Sequence, residues 1–179
     1  MKKHLTFLVS LLCIALTFTS CSIQSVDDYY SSSGSSGNGS YATVSIDCKT
    51  ILDNYDMLDE SIKNEKYVPN DGVILEETKY PIDENDTAFS ILQKATKDKR
   101  IHLEFQGAEQ NALGSVYVKG INHIYEFSCG ELSGWYYSVN GEFGNTSSAN
   151  YKLSDGDVVR WQYTCNLGAD LGAPNFSEN

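Results

Sequence analysis

The residues of this chain best equipped for chemistry are rings rather than nucleophiles. Ser133-Gly134-Trp135-Tyr136-Tyr137 sets three aromatics beside a glycine. Flat rings give broad contact area at low entropy cost, and their indole and phenol tips orient a guest by hydrogen bonding. On a strand, Trp135 and Tyr137 share one face while Tyr136 takes the other. One set therefore belongs to the core and the other is available to line a site. Ser133, Gly134, Trp135, Tyr136 and Tyr137 are the candidate ligand-binding residues, with cross-strand packing as the competing reading. Trp161 and Tyr163 alternate in the same way and are expected in the core.

Other chemistries lack their residues. Apart from His4 the histidines are His102 and His123. Two residues separate Gly130 from Ser133, so Gly130-Glu131-Leu132-Ser133-Gly134 is no nucleophile elbow. There is no HExxH, P-loop or GxGxxG. The carboxylates Asp53, Asp56, Asp59 and Glu60 lack the EF-hand spacing and its glycine. No CxxC or Cys/His cluster suggests zinc. The sequence predicts a binding protein without catalytic residues, metal or resident cofactor.

Strands and one helix must position the aromatic run. Residues 42–48 alternate and read as a strand, and residues 73–80 read as another after the turn signal Pro69-Asn70-Asp71-Gly72. Asp86 or Thr87 can cap a helix whose stripe is Ala88, Ile91, Leu92 and Ala95. Residues 101–105 and 115–118 alternate, and residues 136–143 form a hairpin about Asn140-Gly141, which favours the type I′ turn. Ser154-Asp155-Gly156-Asp157 turns into a last strand over 158–164. Beyond Gly168 the chain is polar and expected to fray. The pattern predicts an α+β fold: a β-grasp-like mixed sheet with one main helix packed on one face.

The N-terminus places the domain. Lys2 and Lys3 precede an apolar run that ends at Thr19-Ser20-Cys21. That order resembles a bacterial lipoprotein signal, in which the cysteine becomes the lipidated first residue. The expected organisation is a signal peptide over 1–20, lipidated Cys21 with a Ser/Gly-rich tether over 21–40, a domain over 41–172 and a polar tail over 173–179. Such a tether reaches on the order of 25 Å as a coil. The location implied is the outer face of the cell membrane, held there by lipid alone. Loss of Lys2 and Lys3 takes the formal charge from −11 to −13, which disfavours nucleic acid and anionic lipid surfaces. Cys48, Cys129 and Cys165 then remain, an odd number with three pairings open.

Further motifs carry a family resemblance. Gly134-Trp135-Tyr136-Tyr137-Ser138-Val139-Asn140-Gly141, Tyr151-Lys152-Leu153-Ser154-Asp155-Gly156-Asp157 and Arg160-Trp161-Gln162-Tyr163-Thr164 look like the bacterial transcobalamin-like C-terminal domain. Tyr67-Val68-Pro69-Asn70-Asp71-Gly72 and Asp86-Thr87-Ala88-Phe89-Ser90-Ile91-Leu92 fit the same family. The resemblance spans residues 42–168 and implies a β-grasp that binds a soluble ligand. In the animal cobalamin carriers the related domain closes over one face of the vitamin and a larger helical domain holds the other. The resemblance thus implies cobalamin or a related corrinoid as ligand, with Trp135 as a contact and a transporter or surface protein as partner. The alternative expectation is an envelope interaction module that binds protein or glycan and no small molecule.

Overall fold

The structure, a computed structural model, describes residues 39–112 and 114–174. The described residues belong to one compact unit, Gly39–Asn179. The expected leader, Cys21 and nearly all of the expected tether lie outside the described residues.

Strand β1 (Tyr41–Asp47) owes its central place to Ala42, Val44 and Ile46, whose alternate side chains are all buried. It pairs antiparallel with β2 (Val73–Pro81). The turn before β2 needs its glycine: at Gly72, φ is +70°, and a Cβ would sit 2.7 Å from the Lys49 Cα. Between these strands lie a short helix α1 (Lys49–Leu52) and two 3-10 turns, Tyr55–Met57 and Glu60–Ile62.

Helix α2 (Ala88–Lys99) starts where the sequence places it. Thr87 Oγ1 accepts the Ser90 N–H at 3.1 Å and Ser90 Oγ accepts the Thr87 N–H at 2.8 Å. This reciprocal cap satisfies two donors that the helix itself leaves open. Ala88, Ile91, Leu92 and Ala95 are all buried, and Ile91 and Leu92 each contribute about 1.5–3 kcal/mol of burial. The helix packs against β1 and β2. Its start is tied to the sheet by the Trp161 indole N–H, 3.4 Å from the Ala88 carbonyl.

A second sheet follows, with strand order β3 (Leu103–Gln106), β4 (Tyr117–Ile121), β5 (Ile124–Tyr125). The sequence placed a strand at 115–118, two residues early. Gly120 lies inside β4, where the Tyr125 ring covers it; a Cβ there would meet Cδ1 at 2.7 Å. Asn122 and His123 turn the β4–β5 hairpin with φ of 52° and 65°.

The main sheet closes with β6 (Gly134–Val139), β7 (Glu142–Phe143) and β8 (Val158–Thr164). Its order is β2-β1-β8-β6-β7, mixed because β1 and β8 run parallel. The α+β expectation therefore holds: mostly strands in two sheets with one main helix. The chain after Gly168 continues as an ordered 3-10 turn, Ala169–Leu171, rather than fraying. The Asp170 carboxylate fixes it by accepting from the Thr164 hydroxyl and, at 2.7 Å, from the Cys165 N–H.

Cys48, Cys129 and Cys165 are free and buried. Burial first, and the Asp47 carboxylate next, push the Cys48 thiol up to about 12.

Candidate functional site

The Asn140-Gly141 turn, with φ of 55° and 83°, folds β7 back beside β6. Strand β7 ends after two residues and the chain leaves at Gly144. A cleft of about 550 Å³ opens there, lined by Trp135, Tyr136, Tyr137, Phe143, Gly144, Asn145 and Thr146. That volume is in the range of small-molecule sites. The structure thus brings three of the five predicted residues, Trp135, Tyr136 and Tyr137, to one cavity. Ser133 and Gly134 are not among its walls.

Ser133 is buried and its hydroxyl is committed inside the fold. It lies 2.8 Å from the Gly130 carbonyl, 3.1 Å from the Cys129 N–H that it accepts, and 2.8 Å from the Tyr163 hydroxyl. Tyr163 also donates to the Tyr125 carbonyl at 2.7 Å. The single Tyr163 hydroxyl proton is therefore shared between the Tyr125 carbonyl and Ser133 Oγ while Ser133 gives its own to Gly130, a buried network that holds the Cys129–Ser133 turn. Ser133 positions the aromatic run from behind instead of meeting a ligand. Gly134 has nothing within 4 Å of where a Cβ would stand, so it marks open space rather than a close approach.

Trp135 is 9% exposed. Its indole N–H donates to the Ile124 carbonyl at 2.8 Å, and its ring meets Tyr163 edge-on at 5.2 Å. The indole N–H is thus committed to the core and has the partner a buried donor needs, while Trp135 also borders the cleft, where the sequence expected a ligand contact. Trp161 and Tyr163 are buried as expected.

The rings left for a guest are Tyr136, Tyr137 and Phe143. Tyr137 donates to the Thr146 carbonyl at 2.6 Å, which pins the loop that forms the far wall. Its ring leans on Trp161 at 5.6 Å. Tyr136 lies on the opposite face and meets Phe143 edge-on at 6.5 Å. Its ring also lies against Gly168, where a Cβ would meet Tyr136 Cε1 at 2.8 Å, and no hydrogen bond of its hydroxyl is seen among the described residues. Burial first, and Asp170 next, raise its phenol above the ordinary value, which keeps it a neutral donor.

The sequence missed Phe143, Gly144, Asn145 and Thr146. The signal for Phe143 was present: a two-residue turn at Asn140-Gly141 places residue 143 opposite residue 138, hence near Tyr136. Nothing local marks Asn145 or Thr146.

The histidines meet elsewhere. His102 and His123 stack at 4.2 Å, with Tyr67 edge-on to His123 at 5.3 Å. The Tyr125 hydroxyl lies 3.4 Å from His102 Nε2 and donates to Glu104 at 3.1 Å. Burial first, and His123 next, hold the His102 pKa below its usual value. Among the described residues, no group of three or more His, Cys, Asp and Glu side chains is placed to hold a metal ion.

Comparison with known proteins finds a family match over less than half of the chain and distant solved structures. The family described as "Domain of unknown function (DUF4430)" matches residues 85–165, from the cap of α2 to the end of β8. No curated protein matches the chain. Among solved structures, haptocorrin in complex with Cbi aligns over 73% of this chain and 27% of its own, at 14% identity and a TM-score of 0.47. The chain thus spans about a quarter of the haptocorrin chain. A protein from Ruminococcus gnavus ATCC 29149, for which metal binding has been suggested, aligns over 70% of this chain and 96% of its own. There the identity is 13% and the TM-score 0.36. Likenesses at this level do not carry over a ligand, so the site is read from its own residues.

Proposed function

We propose that this chain is a ligand-binding module that captures a soluble molecule in the cleft beside β6, displayed on the outer membrane face by a lipid at Cys21. The observation that carries the reading is the cleft itself. Its Tyr136 hydroxyl and the Tyr137 and Phe143 rings supply contact area plus orientation, the combination expected of a small-molecule site. The ligand proposed is cobalamin or a related corrinoid, flat on its faces and rich in amides at its edge. Such a molecule lies across the cleft with one edge inside, leaving the other side for a partner. Binding uses stacking and hydrogen bonds, without chemistry.

Titration of the full chain with cobinamide and with cobalamin, followed by ligand absorbance and tryptophan fluorescence, tests this. Saturable binding is expected, weakened about three- to tenfold by Tyr136→Ala, the loss of one aromatic contact. Absence of binding at millimolar ligand removes the corrinoid.

A second reading is favoured by a different surface. Phe127, Leu132 and Leu167 are 63%, 47% and 60% exposed around one turn, linked by Phe127 N–H to Ser133 carbonyl at 3.0 Å and Leu167 N–H to Leu132 carbonyl at 2.9 Å. Grouped apolar exposure of this kind suits a partner protein at the envelope.

A further inference from the structure

We propose that the open edge of β6 at Trp135–Tyr137 takes an extended, cationic peptide as an added strand, main chain to main chain. This rests on the cleft being a binding site and names a class of ligand for it.

The register decides which way each residue turns. Strand β6 pairs with β8 from Gly134↔Thr164 to Val139↔Val159. Just beyond, the Asn140 N–H donates to the Val158 carbonyl at 2.8 Å. Bonding alternates along an antiparallel strand, so Ser138, Tyr136 and Gly134 bond to β8. Val139, Tyr137, Trp135 and Ser133 turn their N–H and C=O groups to the other side. There Val139 faces Glu142 across the turn, and the Ser133 carbonyl accepts the Phe127 N–H at 3.0 Å. Between those two points β7 has already ended at Phe143. Among the described residues, no strand pairs with Trp135 or Tyr137 on that side, although β4 packs against β6 without pairing with it. The cleft is walled by three consecutive strand residues, Trp135, Tyr136 and Tyr137.

Two main-chain pairs, spaced about 7 Å apart, thus face an open cleft. An extended peptide carries donors and acceptors at the same spacing, and strand addition satisfies them. Alternate peptide side chains fall toward Tyr136 and Phe143 on one face and toward Tyr137 and Thr146 on the other. The charge around the edge fixes the peptide's sign. No charged residue of either sign lines the cleft, so the sign comes from its surroundings. Glu142 is exposed in β7 and Asp170 lies close enough to act on Tyr136. The whole chain carries −11, which opposes an acidic guest and a second copy of itself.

Three capped peptides test the idea on the full chain: Ac-Lys-Val-Thr-Val-Lys-NH2, the same sequence N-methylated at its inner residues, and Ac-Glu-Val-Thr-Val-Glu-NH2. The cationic peptide is expected to bind and to slow hydrogen exchange of the Trp135 and Tyr137 amides. N-methylation is expected to weaken binding about tenfold or more, because it removes main-chain donors. The acidic peptide should bind more weakly, with the gap closing as salt is raised. Equal binding of the N-methylated peptide, or no binding of the cationic one at millimolar concentration, overturns strand addition. So does protection of the two amides that grows with protein concentration alone, since a second copy then fills the edge. Cobinamide, titrated on the same sample, separates the readings: if it binds and the peptide does not, only strand addition falls, and if neither binds, the cleft falls with it.

Discussion

Replacing Tyr163 with Phe removes one oxygen from the most buried aromatic of the sheet, and the structure sets the size of the effect. The hydroxyl donates to the Tyr125 carbonyl at 2.7 Å and lies 2.8 Å from Ser133 Oγ. Neither partner is stranded by its loss. The Tyr125 carbonyl still accepts the Ser128 N–H at 3.2 Å. Ser133 still donates to Gly130 and still accepts from Cys129. The cost is therefore that of net hydrogen bonds and not of an orphaned buried group, about 1–2 kcal/mol. For a domain of this size that lowers Tm by about 4–8 °C. Ser133→Ala should cost more, about 2–4 kcal/mol, since it breaks the same network and also leaves the buried Cys129 N–H unpaired. The two changes should couple in a double-mutant cycle by about 0.5–1 kcal/mol. Urea denaturation of wild type, the single variants and the double variant measures all four corners. Additive effects, or a Tyr163→Phe variant within about 0.5 kcal/mol of wild type, would refute the claim that this network holds the turn behind Trp135.

Two further perturbations test the framework around the site. Asp86 is buried; burial alone would raise its pKa, but Lys94, the Asp83 N–H and Ser90 together hold it below the usual carboxylate value. A depressed carboxylate contributes stability that is present above about pH 4 and lost as pH falls through its folded value. Wild type should therefore lose more stability than Asp86→Asn between about pH 5 and pH 2 in acid titrations followed by circular dichroism; parallel curves would remove Asp86 from the acid response. Gly141 has φ of 83° with nothing within 4 Å of a would-be Cβ, so Gly141→Ala meets backbone strain alone and should cost about 1 kcal/mol in chemical denaturation. A loss well above that would mean the hairpin beside the cleft is held by contacts absent from this structure.

Local rules made much of the fold legible. The Thr87 cap, the Ala88-Ile91-Leu92-Ala95 stripe, the buried alternation of β1 and the Asn140-Gly141 turn each follow from period, capping and φ preference within a few residues. The second sheet was harder to read. The expected strand stopped at Val118, whereas β4 runs through Gly120 to Ile121 beneath the Tyr125 ring, which arrives from another strand. Asn122-His123 carries no common turn signature, although both residues adopt positive φ.

The aromatic run divides along the same line. Its residue types announced a contact surface, and period 2 announced that the rings would split between two faces. Which face met the core depended on pairing with β8, since Trp135 lies opposite Tyr163 and beneath the Ile124 carbonyl. Ser133 left the surface because a tyrosine thirty residues on reached back to its hydroxyl. The cleft itself exists because β7 stops after two residues and a Tyr137 hydroxyl pins the loop at Thr146. Composition and spacing thus chose the rings, while long-range pairing chose which of them a guest can touch, because burial is a property of what packs against a residue and not of the residue itself.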